Sequence, residues 1–259
     1  MTRPDAVLIT GASSGIGALY ADRFARRGHD LVIAARDDVR LHALAGRLRQ
    51  ETGVAVDVIK TDLTQPDDIA AIENRLRDDS RIGTLINNAG IAQSGSFIDQ
   101  TAESIERLIS LNITALTRLA AAVAPRFAAS GQGNIVNIGS VVGMAPEFGA
   151  SVYGATKAFV LFLSQGLQHE FSAQGVYIQA VIPAATRTEI WERAGLDIHS
   201  LSEVMDAQEL VDAAMVGFDR REGITIPPLR HAAHWTSLDH ARQQLLGDLH
   251  QSYAAERYK

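Results

Sequence analysis

No cysteine occurs among the 259 residues. Without thiols, a disulfide framework and a thiolate-bound zinc ribbon are both excluded. Basic residues are in the minority, 24 Lys and Arg against 30 Asp and Glu, for a formal charge of −6. A nucleic-acid binder needs the opposite, a clustered excess of cations facing phosphates, so no nucleic-acid partner is expected. The opening "MTRPDAVLIT" holds too short an apolar run for a signal peptide, and no window approaches the ~18 apolar residues of a membrane span. The protein is expected to be soluble and cytoplasmic, with no membrane partner. Repeats, low-complexity tracts and Pro- or Ser-rich linkers are also missing, so a single domain over 1–259 is the expectation. His231 and His234 lie three apart without a third ligand pattern nearby, so no metal is expected.

What is present reads as an ordinary globular chain, 46% apolar and 21% charged. Short aliphatic runs recur at 6–10, 30–35, 54–60, 82–88, 133–140 and 176–183, and "GITIPP" supplies a last short strand. Continuous rather than alternating apolarity marks parallel strands covered on both faces. Between them, residues 15–28, 37–52, 66–79, 101–129 and 151–174 carry apolar positions at helical spacing; Ile105, Leu108, Ile109, Asn112, Ile113, Leu116 and Leu119 illustrate one face. Alternating strand and helix predicts an α/β fold, a Rossmann-like doubly wound parallel sheet flanked by helices on both faces. Residues 184–222 are less regular and are read as a substrate loop with helical insertions. A C-terminal amphipathic helix is expected at about 233–254, through Trp235, Leu238, Ala241, Leu245, Leu249 and Tyr253.

The first strand runs into "TGASSGIG". Gly11, Gly15 and Gly17 permit a tight turn and a close approach of backbone to ligand. A helix starting near Gly15 aims free N–H groups and its positive dipole end at that ligand, which suits a pyrophosphate. The plainer reading is a Gly/Ser-rich strand-to-helix turn, since the spacing departs from G-x-G-x-x-G. Arg36 ends the second strand where an acid would hold the ribose 2′-hydroxyl of NAD. A guanidinium pairs instead with the 2′-phosphate of NADP; the alternative is a surface arginine paired with Asp37 or Asp38. In "SVYGATK", Tyr153 and Lys157 leave one helix face. The ammonium is expected to lower the phenol's pKa, so that Tyr153 exchanges a proton with a carbonyl or alcohol oxygen. Ser140, closing the strand "NIVNIGS", is placed to hold the same oxygen.

These motifs together resemble the short-chain dehydrogenases/reductases over about residues 6–190. "TGASSGIG" is similar to the family's cofactor motif, covering Gly11, Ser13, Ser14, Gly15, Ile16 and Gly17; "NNAG" (87–90) is similar to its sheet-stabilising turn, and Ser140, Tyr153 and Lys157 to its Ser…Tyr-x-x-x-Lys site. The resemblance implies that Asn112 binds a proton-relaying water, and that Lys157 also binds the nicotinamide ribose beside Tyr153. It further implies that Asp62 and Leu63 contact adenine, that Asn88, Ala89 and Gly90 line the adenosine side, and that Thr188 holds the carboxamide. Pro183, Ala184 and Thr186 are the remaining expected cofactor contacts, with Ala184 standing where the family has glycine. The implied function is reversible NADP(H)-dependent reduction of a ketone or aldehyde, NAD being the less favoured cofactor. A catalytically idle dinucleotide sensor and an epimerase or dehydratase are the alternatives on this scaffold. Met144, Phe148, Ile190, Trp191 and Leu196 flank the expected pocket, which suits an apolar substrate. A homodimer or homotetramer is expected through the two long helices, with Phe159, Phe162 and Leu163 as candidates for that surface.

Overall fold

A computed structural model describes every residue except 1–3, 94, 196 and 202. The chain divides into two compact units, Met1–Pro227 and Pro228–Lys259. The first is built on seven strands: β1 (Ala6–Thr10), β2 (Leu31–Ala35), β3 (Val56–Lys60), β4 (Ile82–Asn87), β5 (Gly133–Ile138), β6 (Val176–Val181) and β7 (Ile224–Thr225). They lie in the order β3-β2-β1-β4-β5-β6-β7, and every pairing is parallel. Parallel neighbours require crossovers, supplied by α1 (Gly15–Arg26), α2 (Asp38–Thr52), α3 (Pro66–Asp78), α4 (Ala102–Ile109), α5 (Leu116–Ser130), α6 (Ser151–Phe171), α7 (Ile190–Arg193) and α8 (Ala207–Asp219).

Strand alternation explains the two-sided core. Val7 and Ile9 of β1 pack with Phe24, Leu41 and Leu210, whereas Ala6 and Leu8 pack on the other face with Ile72, Leu119 and Phe127. Each strand is therefore mostly apolar on both faces. The helices begin where the chain supplies acceptors for their free N–H groups: Asp37 accepts from Arg40 N at 3.0 Å, Thr101 from Ser104 N at 3.2 Å and Asp206 from Gln208 N at 2.8 Å. Glycine in the left-handed region stops α2 at Gly53 and α5 at Gly131.

The expected single helix at 101–129 is interrupted by a π-helical turn, Ser110–Ala115, between α4 and α5. By length and composition the run Ala102–Ser130 is apolar enough to cross a membrane, which the sequence reading had not allowed; half of its most apolar window is buried inside the protein, the position of a core helix. The loop 184–222 resolves into the four-residue α7 and the capped α8. In the second unit, α9 (Ala232–Leu249) forms most of the expected tail helix. None of its residues is buried, and Leu238, Leu245, Leu246 and Leu249 are exposed.

Chain order reverses between β1, which neighbours β2, and β4, which neighbours β5. Open α/β sheets bind ligands beyond the carboxyl ends of strands at such a switch point. Here those ends lead into Gly11 and Asn88.

Candidate active site

The turn after β1 is tied to the turn after β4. Thr10 Oγ1 accepts from Asn88 N and Ala89 N at 3.1 and 3.0 Å. Asn88 Nδ2 donates to Thr10 O and Gly11 O at 2.9 and 3.2 Å. A Cβ on Gly17 would lie 2.5 Å from both Asn88 Nδ2 and Gly11 O, so only glycine fits that contact. Ser14 sits at the N-cap of α1 without using its side chain to cap it, so the helix end keeps N–H groups for an anion. These features fit a dinucleotide's pyrophosphate. Ser13 and Gly15 are half-buried on the same turn, while Ile16 packs against the core.

On the side where the adenosine is expected, Arg36 is exposed. Neither aspartate beside it is its partner: Asp37 caps α2 and contacts Arg40 Nε at 3.3 Å, and Asp38 faces His42. Asp62 accepts from Thr64 N and Thr64 Oγ1. Burial works to raise the Asp62 pKa, but those bonds and the charges of Arg36 and Arg107 hold it below the usual carboxylate range. Leu63 is buried in the core.

Four other side chains converge beyond β4 and β5. Asn112, in the π-helical turn, is buried; its Oδ1 accepts from Ile91 N at 3.0 Å, and its Nδ2 donates to Ile91 O at 2.9 Å and Thr156 Oγ1 at 3.1 Å. Thr156 Oγ1 donates in turn to Tyr153 O at 2.8 Å. Lys157 Nζ donates to Ile138 O at 2.9 Å and lies 5.8 Å from the centre of the Tyr153 ring. Gly90 stands between Asn112 and Lys157, since a Cβ there would approach Asn112 Oδ1 to 3.2 Å and Lys157 Nζ to 3.7 Å. Ser140 caps the turn Val141–Gly143 and lies close enough to Tyr153 to favour release of its proton.

Electrostatics here differ from the sequence expectation. Burial pushes the Tyr153 phenol up to about 12, against the opposing hydrogen bond of Ser140. The ammonium of Lys157, itself brought down to about 8 by burial, is directed at Ile138 O, and burial and the Ser140 hydrogen bond alone set the balance at Tyr153. At pH 7 the tyrosine is thus a neutral phenol, poised to donate a proton.

The segment after β6 forms the remaining wall. Pro183 O accepts from Val141 N at 2.9 Å, which joins this segment to the Ser140 turn. Ala184 O accepts from Thr186 Oγ1 at 2.9 Å, and Thr186 O accepts from Trp191 Nε1 at 2.7 Å. Thr188 reaches the glycine-rich turn: a Cβ on Gly15 would meet its methyl at 3.2 Å. Met144, Ile190 and Trp191 are half-buried, and Phe148 is exposed. Leu196 lies outside the described residues.

Sequence reasoning missed several supporting residues. Thr10 and Thr156 are among them. A buried polar chain is another: Asn87 Nδ2 donates to Asn137 Oδ1 at 3.0 Å, and Asn137 Nδ2 to Ser164 Oγ at 3.0 Å, which links β4 and β5 to α6. Gly143 is a third, since a Cβ there would come within 2.5 Å of the α6 backbone at Lys157 C and Ala158 N. The apolar strand signal masked Asn137, whereas Asn87 was already part of the "NNAG" turn.

Comparison with known proteins agrees with this architecture. The family model "short chain dehydrogenase" matches residues 5–198. A short-chain dehydrogenase from Sphingobium yanoikuyae, solved in complex with NADPH, is 71% identical with a TM-score of 0.97, covering 98% of this chain and 100% of that one. A bulky-bulky ketone specific alcohol dehydrogenase from Comamonas testosteroni is 62% identical with a TM-score of 0.93, covering 99% of each chain. The very-long-chain 3-oxoacyl-CoA reductase-A of Danio rerio is 36% identical over 187 residues, 71% of this chain but only 58% of that protein. With the family model covering most of its length, and with the glycine-rich turn and the Ser140, Tyr153 and Lys157 cluster at its switch point, this chain belongs to the short-chain dehydrogenase family.

Proposed function

We propose that the protein is an NADP(H)-dependent oxidoreductase that reduces ketones, and reversibly oxidises the corresponding alcohols. The observation that carries this reading is the convergence of Asn112, Ser140, Tyr153 and Lys157 beside the glycine-rich turn. The 71% identical relative solved with NADPH supports the choice of cofactor. The bound nicotinamide supplies the hydride. Tyr153 gives its proton to the carbonyl oxygen in reduction and recovers it in oxidation, and Ser140 holds that oxygen. Lys157 holds the nicotinamide ribose through its ammonium, and Asn112, fixed by Ile91 and Thr156, supports the water that returns protons to Lys157. Gly11, Ser13, Ser14, Gly15, Ile16 and Gly17 take the pyrophosphate. Asp62, Leu63, Asn88, Ala89 and Gly90 take the adenosine side, and Pro183, Ala184, Thr186 and Thr188 the nicotinamide.

The substrate is a ketone with apolar groups on both sides of the carbonyl, supported by the half-buried Met144, Ile190 and Trp191 and by the ketone specificity of the 62% identical relative. NADPH consumption over a panel of dialkyl, aryl-alkyl and diaryl ketones tests this. Turnover rising with ketone bulk is expected, and consumption of neither cofactor with any ketone overturns the reading. The enzyme works as a soluble cytoplasmic homo-oligomer, paired through α6, where Phe159 and Phe162 are exposed.

Arg36 selects the cofactor. Replacing it by glutamine removes a charge-assisted pair with the 2′-phosphate, expected to lower the NADPH over NADH ratio of kcat/KM about tenfold. An unchanged ratio would assign the phosphate to another cation.

A further inference from the structure

Four side chains of alternating charge run from the end of β2 to α7. Asp37 contacts Arg40 Nε at 3.3 Å. Arg40 Nη1 reaches both carboxylate oxygens of Glu189 at 2.7 Å, across 149 residues of sequence. Glu189 Oε2 also accepts from Arg193 Nη2 at 2.6 Å. Hydrogen bonding from Arg40 is the largest influence holding the Glu189 carboxyl below its ordinary range. Glu189 directly follows Thr188, which lies against the glycine-rich turn at Gly15. The Arg40–Glu189 pair therefore bridges α2 to the segment after β6, and that segment already touches, through Thr188 at Gly15, the turn read as receiving the pyrophosphate.

We propose that Arg40 and Glu189 form a latch over the dinucleotide: they are positioning residues that hold residues 188–193 across the glycine-rich turn and set the rate at which the cofactor leaves. The inference rests on the reading that this site binds NADP(H). Arg40 acts here as a tie and not as a phosphate ligand, because its guanidinium is engaged by Glu189 and Asp37, while Arg36 beside it has neither neighbouring aspartate as partner. Both members of the pair are about half exposed, 48% and 42%. Exposed ion pairs are modest, about 1 kcal/mol at most, which corresponds to about a fivefold change in a rate. A latch acts on either cofactor equally, since it closes over the pyrophosphate both share.

The test is stopped-flow release of NADPH and of NADH, followed by their fluorescence, from the wild type, R40Q, E189Q and the double variant. Each single variant is expected to speed release of both cofactors about three- to fivefold, and the double variant to go no further, because one broken partner already opens the pair. Unchanged release in either single variant, additive effects in the double, or an effect confined to NADPH overturns the latch; the last would make Arg40 a ligand of the 2′-phosphate. Wild-type protein that enhances the fluorescence of neither cofactor overturns the functional reading, and the latch with it.

Discussion

Tyr153→Phe is expected to lower ketone reduction by about two to four orders of magnitude, the typical contribution of a positioned general acid, while NADPH binding stays within about twofold of wild type. The substitution removes one hydroxyl and keeps the ring, so the packing of α6 is retained. What is lost is a proton donor. Burial pushes the phenol up to about 12, so at pH 7 essentially every molecule holds the proton that reduction needs. The Ser140 hydrogen bond works the other way, easing the release of that proton as the substrate oxygen becomes basic. Steady-state rates and fluorescence titration of the same preparation separate the two effects. Retained turnover would mean that another group protonates the oxygen; loss of cofactor binding together with turnover would mean that the hydroxyl also holds the nicotinamide end.

The second large effect falls on stability. Lys157→Met should abolish reduction yet make the protein free of cofactor more stable at pH 7. Burial brings the ammonium from 10.5 down to about 8, a displacement worth on the order of 3 kcal/mol. Below about pH 8 the folded and unfolded chains both carry this charge, and the folded one bears the whole desolvation cost. Between pH 8 and 10.5 the unfolded chain still binds a proton that the folded one has released, so wild-type stability gains with rising pH from this group. Methionine removes the cost and leaves Ile138 O without the donor it has at 2.9 Å, which returns about 1 kcal/mol. The net gain at pH 7 is about 2 kcal/mol, or several degrees in Tm, and it shrinks as pH is raised toward 10.5. A variant less stable than wild type at pH 7 would show that the ammonium is better compensated than its single backbone partner implies.

Much of this site was legible because its chemistry is carried by spacing along single elements. Tyr153 and Lys157 share one helix face, and Ser140 closes a strand; both are local facts. The strands were equally open, since a parallel strand covered on both faces is an unbroken apolar run, and β1 through β6 fall inside the predicted runs. The π-helical turn was hidden because one extra residue leaves the apolar spacing of α4 and α5 nearly intact on each side. The polar Asn112 within that spacing was the only trace of it. The direction of the Tyr153 shift was misjudged for another reason: a pairwise argument sees the lysine four residues on, but not the depth at which both groups are buried. Thr10, Asn137 and Ser164 gave no signal, since each acts through a partner distant in sequence: Asn88, Asn87 and Asn137 respectively.

The segment after β6 is fastened at its base, where Thr186 and Met205 pair as an isolated parallel bridge and Arg187 N donates to Met205 O at 2.9 Å. Between those two points the chain can change its side chains beyond Arg193 without altering any register of the sheet, since it is Thr188 and Glu189 that reach the glycine-rich turn and α2. Substrate choice is thereby separable from the nucleotide scaffold: a lineage can explore new substrates by editing the stretch between Arg193 and Met205, while residues 188–193, which reach Gly15 and Arg40, stay under separate constraint.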